Sequence, residues 1–463
     1  MRQQRFCSLV LAALFLAPLL IAAPEALRAH TREGVVYTSD QTWSGNMSLD
    51  EDVVIASGAT LLIESGTYIN VTEDITITIQ GNLQIQGTTE DPVTIWGSWF
   101  AENSVQARWQ GFLLDSGSVT SVLHAMISDS RGGFDAESGA SLTIESTHFT
   151  DSMIGVWNKG SMTGAGFECQ SATTTCLRVD GTANLDTVTS SNSAGVVHIA
   201  NGGDATIDLI ESDLDSDVLV LDGGSTYSGE IQAAGFTRMI RASDSVTATV
   251  TPVATGSGET LVDATMVDGL ELINGNSTNI TVSRILIGTV QDIRLSSIEY
   301  QCDGTANCID AHIQGELDVT DSLFGQQASD SSVFARLRGD GIVHMDNITL
   351  TSSTVLFDVA GNGQFNIIDS QLSVHSAGTI SGWGLDIVNS SMFSVEDGLT
   401  LLDVQSSIFD SEFSRTFSMS DSTSFGLRAV WSQITLDDVT VAGWNDGIRC
   451  ESACTITGTS INA

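Results

Sequence analysis

An all-β solenoid, a parallel β-helix with coils of about 20–26 residues, is the fold class this sequence predicts. Three observations carry it. From Val53 to Gly97 apolar residues alternate with polar ones, as at Ile75, Ile77, Ile79 and again at Leu83 and Ile85, and Gly58, Gly66, Gly81 and Gly87 interrupt the run. Such alternation, broken by glycine, signals short strands joined by tight turns. Apolar anchors then recur at coil length: Ile127, Phe149, Val188 and Leu214, and later Phe324, Leu350, Leu372, Phe393, Phe413 and Val439. Most are followed by Asp, Asn, Ser or Thr, which in a solenoid stack as turn residues bonded to neighbouring backbone. The anchors stack inward as a continuous core, so Phe149, Phe393 and Phe413 are expected inside. Composition agrees: Gly is plentiful, Pro is scarce, and Val, Ile, Thr, Ser and Asp recur where helix formers would otherwise run.

The runs "SGATLLIESGTYI" and "ITIQGNLQIQGTTEDPVTI", leading to Trp109-Gln110-Gly111-Phe112, resemble the N-terminal coils of the pectin-lyase-like superfamily. The likeness is strongest to surface proteins with such a Trp-x-Gly-hydrophobic step. It is good over residues 53–160 and looser beyond. It implies a right-handed parallel β-helix and no particular activity. The acidic, Asp-rich, lysine-poor composition is similar to that of secreted proteins of salt-adapted or marine microbes, archaeal ones included.

Residues 1–29 read as a signal peptide: Arg2 and Arg5 precede an uncharged apolar run, and Ala22, Ala23 and Ala26 offer a cleavage site. An uncleaved anchor is the alternative, although Pro18 interrupts a run that barely reaches spanning length. Residues 30–52 are expected to form a lead-in or cap, and 53–463 the β-helix. Residues 229–278 keep the period poorly and are expected to be irregular coils or a bulge. "CLRVDGTANLDTVT" at Cys176 and "CIDAHIQGELDVT" at Cys308 suggest an internal duplication. The chain stops soon after Cys454 without a polar cap, which suggests a longer natural protein or a paired end.

The formal charge is -40 and Lys159 is the single lysine. Such a surface repels nucleic acid and anionic membranes. Beyond Cys7, six cysteines fall in close pairs, Cys169/Cys176, Cys302/Cys308 and Cys450/Cys454. In an exported chain these are expected to be local disulfides. None has the clustered companions of a structural zinc site.

Candidate sites are sparse. Asp129 and Asp151 occupy equivalent coil positions with Arg131 nearby, an arrangement open to acid–base chemistry or to a turn ladder with a compensating charge. The Gly-His-Gly and Arg-Ile-Lys segments of polygalacturonase-like β-helices are missing. Asp213, Asp215 and Asp217, if extended, would present three carboxylates to one side and suit calcium. Trp96, Trp99, Phe100 and Trp109 cluster near the first coils, with Trp99 and Trp109 the first candidates for stacking a sugar and core packing the alternative. Sequons stand at Asn46, Asn70, Asn276, Asn279, Asn347 and Asn389. The expected function is therefore that of a non-catalytic exported β-helix with glycans or cell-surface proteins as partners, used in adhesion, glycan binding or as a spacer. The alternative is a carbohydrate-active enzyme, a polysaccharide lyase or glycoside hydrolase, on the same fold. Beyond calcium, no cofactor is expected.

Overall fold

The computed structural model describes residues 34–72, 74–97, 108–275, 282–302, 307–326, 333–352, 355–415 and 424–463. These residues form 48 strands. The chain is all-β, a parallel solenoid of about 17 turns. At roughly 4.8 Å per coil, such a stack runs on the order of 80 Å.

Each coil contributes to three parallel ladders. The first begins Val35–Tyr37, Val53–Ile55, Thr76–Ile79, Trp109–Leu114. The second begins Gln41–Trp43, Thr60–Glu64, Asn82–Gln86. The third begins Asn46–Leu49, Tyr68–Val71, Val93–Gly97. Residues 35–49 therefore already make a full coil, and the solenoid starts one coil earlier than the hydrophobic pattern indicates. The strands of that coil are short and only Trp43 and Leu49 in them are buried, which is why their alternation is faint.

Period-2 geometry sends one set of side chains inward, and the buried set is a single continuous core from Trp43 to Val441. Within it Trp109, Phe112, Phe134, Phe149 and Phe167 follow ring to ring, with centroids 5.0–6.1 Å apart. Gly111 is required where this stack begins. Its φ is +106°, and a Cβ there would lie 1.5 Å from the Gly132 carbonyl oxygen.

Several anchors need a corrected register. Ile127 and Phe149 are direct partners, as are Phe324, Leu350 and Leu372. The next rung is Met392, paired with Leu372 and Phe413, so Phe393 points outward and is 36% exposed. A one-residue slip reverses every side chain. Leu214 is also outside, at a corner with φ +60°. Val188 and Val439 are buried but two residues off the ladder, whose members there are Cys169, Ser190 and Val441.

Residues 229–275 are regular coils, with strands Thr226–Ala234, Phe236–Ser243, Thr247–Ala254, Gly258–Thr265 and Gly269–Ile273. Their period is intact. What changes is the corner signature that made other coils recognisable.

Cys302–Cys308 and Cys450–Cys454 are disulfides. Cys169 and Cys176 are free thiols, both fully buried. They depart from the expected third disulfide in being thiols, although the two side chains are neighbours in the interior. Cys169 stacks between Phe149 and Ser190, and Cys176 faces the Ser190 and Ser193 hydroxyls. Burial pushes the Cys169 thiol well above its ordinary range.

Candidate functional site

The third ladder carries an outward face whose side chains follow strand register. Tyr68, Thr94, Met126, His148 and Glu168 form one column, and Asn70, Trp96, Ser128 and Thr150 the next. In these coils the columns hold Tyr68, Trp96 and Met126, all exposed, with Trp96 49% exposed. Beside them lies a lateral cleft of about 640 Å³ lined by Trp96, Met126, Arg108, Asp129 and Asp151, among others. That volume falls in the range of small-ligand sites.

The two carboxylates reach the cleft from corners. Asp129 and Asp151 have φ of +55° and +54°, and each follows a strand of the third ladder. Their backbone N–H groups donate to Thr150 and Gln170 of the following coil. They are thus rungs of a turn ladder, one strand spacing apart. Partial burial pushes the Asp129 carboxyl up; the Ser128 hydroxyl opposes that, the Asp151 charge adds to it, and Arg108 offsets it. Arg108 crosses the cleft to donate to Thr173 at 3.2 Å.

Arg131 leaves this group. Its guanidinium pairs with Asp74 at 3.7 Å, so the compensating cation at the Asp129–Asp151 corner is Arg108. Trp109 is fully buried, with its Nε1–H donated to the Ser128 carbonyl at 2.9 Å. It is core and cannot stack a sugar. Trp99 and Phe100 lie outside the described residues. The exposed ring is Trp96, at an outward position of Val93–Gly97. The strict alternation Val93, Ile95, Gly97 inward was the available signal for it. Trp431, 63% exposed at another corner, was not singled out.

The three aspartates expected to share a calcium ion point apart, because Leu214 turns the chain between them. Asp213 is exposed. Asp217 is held by Arg238 in a two-point contact at 2.7 and 2.9 Å. Asp215 points inside, 1% exposed. It accepts from the Ser193 backbone N–H and from the Ser190 and Ser212 hydroxyls. Burial raises its pKa in spite of those bonds.

Of the sequons, Asn46 is exposed and Asn70 half-buried beside Trp96. Asn347 and Asn389 are exposed corner residues whose side-chain amides donate to Asp321 and Asp369, so the nitrogen that would carry a glycan already has a structural partner. Asn276 and Asn279 lie outside the described residues.

No protein-family model matches this chain, and no curated protein matches it.

Proposed function

We propose that this is an exported, non-catalytic β-helix of the pectin-lyase-like, right-handed kind that binds neutral glycans in the Trp96 cleft. The observation that carries the reading is the combination of a half-exposed tryptophan and Met126 with hydrogen-bonding carboxylates in one cleft. An apolar ring face suits the C–H face of a pyranose, and the carboxylates suit its hydroxyls. Charge selects against polyuronates: 57 acidic residues face 17 basic ones, and like charges repel at long range. Two disulfides fit an oxidising compartment. The coil stack supports a surface or spacer role alongside binding.

A second reading, glycoside hydrolysis, is favoured by one feature, the raised Asp129 carboxyl beside Asp151 in the same cleft. Both aspartates nevertheless serve the corner ladder. Titration calorimetry and a reducing-sugar assay on one neutral-glycan panel separate the two. Trp96→Ala should weaken binding about tenfold, the scale of one good ring contact, while Trp431→Ala leaves it unchanged. Equal affinity in wild type and Trp96→Ala would overturn the cleft as the binding site. Product formation abolished by Asp129→Asn would replace binding with catalysis.

A further inference from the structure

The second ladder carries a different cluster, far along the chain from the Trp96 cleft and independent of it. Glu316 and Asp318 are two residues apart in Ile309–Thr320 and so share its outward face. His344, in the next coil, is the register partner of Asp318. One ligand atom from each of the three lies within 4.8 Å of the others, and all three side chains are half-buried. His344 Nε2 stands 3.2 Å from Glu316 Oε1. The other ring nitrogen, Nδ1, is 3.0 Å from the Asn366 side-chain amide. A partner on the far nitrogen is what orients a ligating imidazole, and the Asn366 amide is itself held by the Gln364 side chain, which donates to its oxygen.

Three other histidines show what is special here. His148, His198 and His375 face one carboxylate each, Glu168, Asp222 and Glu396. Among the described residues only the His344 group brings three donors together. It also carries surplus charge. Asp292 is the register partner of Glu316, and directly opposed like charges destabilise a sheet. Arg294 serves both Glu271 and Asp318, so one guanidinium answers four carboxylates. An open cleft of about 340 Å³ lined by Glu271, Asp292, Arg294, Glu316 and Asp318 runs alongside.

We propose that Glu316, Asp318 and His344 bind a divalent transition-metal ion, zinc by preference. One imidazole and two carboxylates are a borderline donor set that suits zinc, whereas calcium and magnesium take oxygen ligands alone. Three protein ligands leave a fourth position for water or another small ligand.

The test is metal binding by the full chain, stripped with chelator and titrated at pH 7 with zinc, cobalt(II) and calcium. Wild type is expected to take up one zinc per chain saturably, and cobalt(II) to give visible bands of a low-coordinate site. His344→Gln and Asp318→Asn should each lose at least tenfold in zinc affinity and lose the cobalt bands, with circular dichroism unchanged. His148→Gln should bind as wild type does. The absence of saturable zinc binding, wild-type affinity in His344→Gln, or calcium binding tighter than zinc would each overturn the site. If Asp318→Asn fails to fold, His344→Gln and the cobalt spectrum still decide.

Discussion

Coils before residue 254 and coils after residue 274 use the same corner on opposite edges of the solenoid. In the earlier coils the corner lies between the third ladder and the first, and the coils of Asp129 and Asp151 turn a second time between the second ladder and the third, at His124 and Ser146. Asp129-Ser130, Asp151-Ser152, Ser171-Ala172 and Asn192-Ser193 occupy the former corner, with the first residue of each pair at positive φ. In the later coils the corner lies between the second ladder and the third, at Asp321-Ser322, Asn347-Ile348, Asp369-Ser370, Asn389-Ser390 and Asp410-Ser411. The chemistry is the same on both edges. The buried serine donates to the carbonyl two residues back and accepts a backbone N–H from the preceding coil. Ser152, Ser193, Ser322, Ser370, Ser390 and Ser411 all do so. A corner is therefore a portable two-residue device. Asp and Asn supply the left-handed residue, since they tolerate that conformation, and serine closes the hydrogen bonds of a buried bend. Where the device sits decides which edge is smooth. From Ser161 to Ala254 the second and third ladders run on as one strand, as in Thr182–Ser191 and Asp204–Asp213.

Removing the serine is the most severe way to break the equivalence of the two edges. Ser411→Val and Ser152→Val should each cost about 1–3 kcal/mol, because a buried N–H or C=O loses its partner. Thermal or denaturant midpoints should fall by similar amounts. A large loss at Ser411 with none at Ser152 would mean that only the later edge relies on the ladder.

The left-handed residue comes next. Asp369→Val and Asp151→Val place a β-branched side chain at φ of +48° and +54°, at about 1–2 kcal/mol each. Glycine at the same sites should be close to neutral. If Val and Gly variants melt together, backbone conformation is not what selects Asp here.

Much of this was legible in the sequence. The Asp-Ser and Asn-Ser pairs after apolar residues announced stacked turns, and the solenoid follows from them and from the alternation. Their edge was not legible, because the same dipeptide serves both. That ambiguity produced the slip at Leu214, which is itself the positive-φ corner residue; at Phe393 two adjacent apolar residues, Met392 and Phe393, leave the register open by one. The edge ambiguity also made residues 229–275 look irregular, since the device is changing edges there while the strands continue. The site was legible in part. Trp96, Asp129 and Asp151 were in view, and the cleft joins them. Arg108, 43 residues before Asp151 in sequence, and the His344 group required the register of neighbouring coils.

On the earlier edge the serine's place is taken by Ala172 after Ser171, by Phe236 after Gly235 and, at Leu214-Asp215, by a carboxylate. Asp215→Ser would give the Leu214 rung the chemistry of its neighbour Ser193. The raised pKa means that the folded form holds the Asp215 proton more tightly than the unfolded chain. The favourable contribution of that proton is full in acid, below the ordinary carboxylate pKa of 3.8, and is lost as pH rises through the higher folded value. Once ionised, the carboxylate is a buried charge held by the three bonds from Ser193, Ser190 and Ser212. At pH values where Asp215 is ionised, the serine variant is expected to be more stable by about 1 kcal/mol, with the advantage shrinking as pH falls through the folded pKa. A destabilised variant in that range would show that those three bonds outweigh desolvation.

The later edge has a second layer that the earlier one lacks. Its exposed corner residues alternate Asp321, Asn347, Asp369, Asn389, and each asparagine amide donates to the aspartate of the coil before, at 2.7 Å in the first case. Asparagine thus separates carboxylates that would otherwise stand one strand spacing apart, about 4.8 Å. Asn347→Asp removes a donor and creates three consecutive carboxylates. The sites are solvent-exposed, so the expected loss is under about 1 kcal/mol. The Coulomb part of that loss must be screened by salt, because the Debye length falls from about 10 Å at 0.1 M to about 3 Å at 1 M. The hydrogen-bond part must persist. Asn347→Ser, which removes the donor without adding charge, isolates the second part. Melting both variants at low and high salt tests the division: the Asp variant should approach the Ser variant in 1 M salt. A salt-independent gap between them would mean that the alternation is not there to space charge.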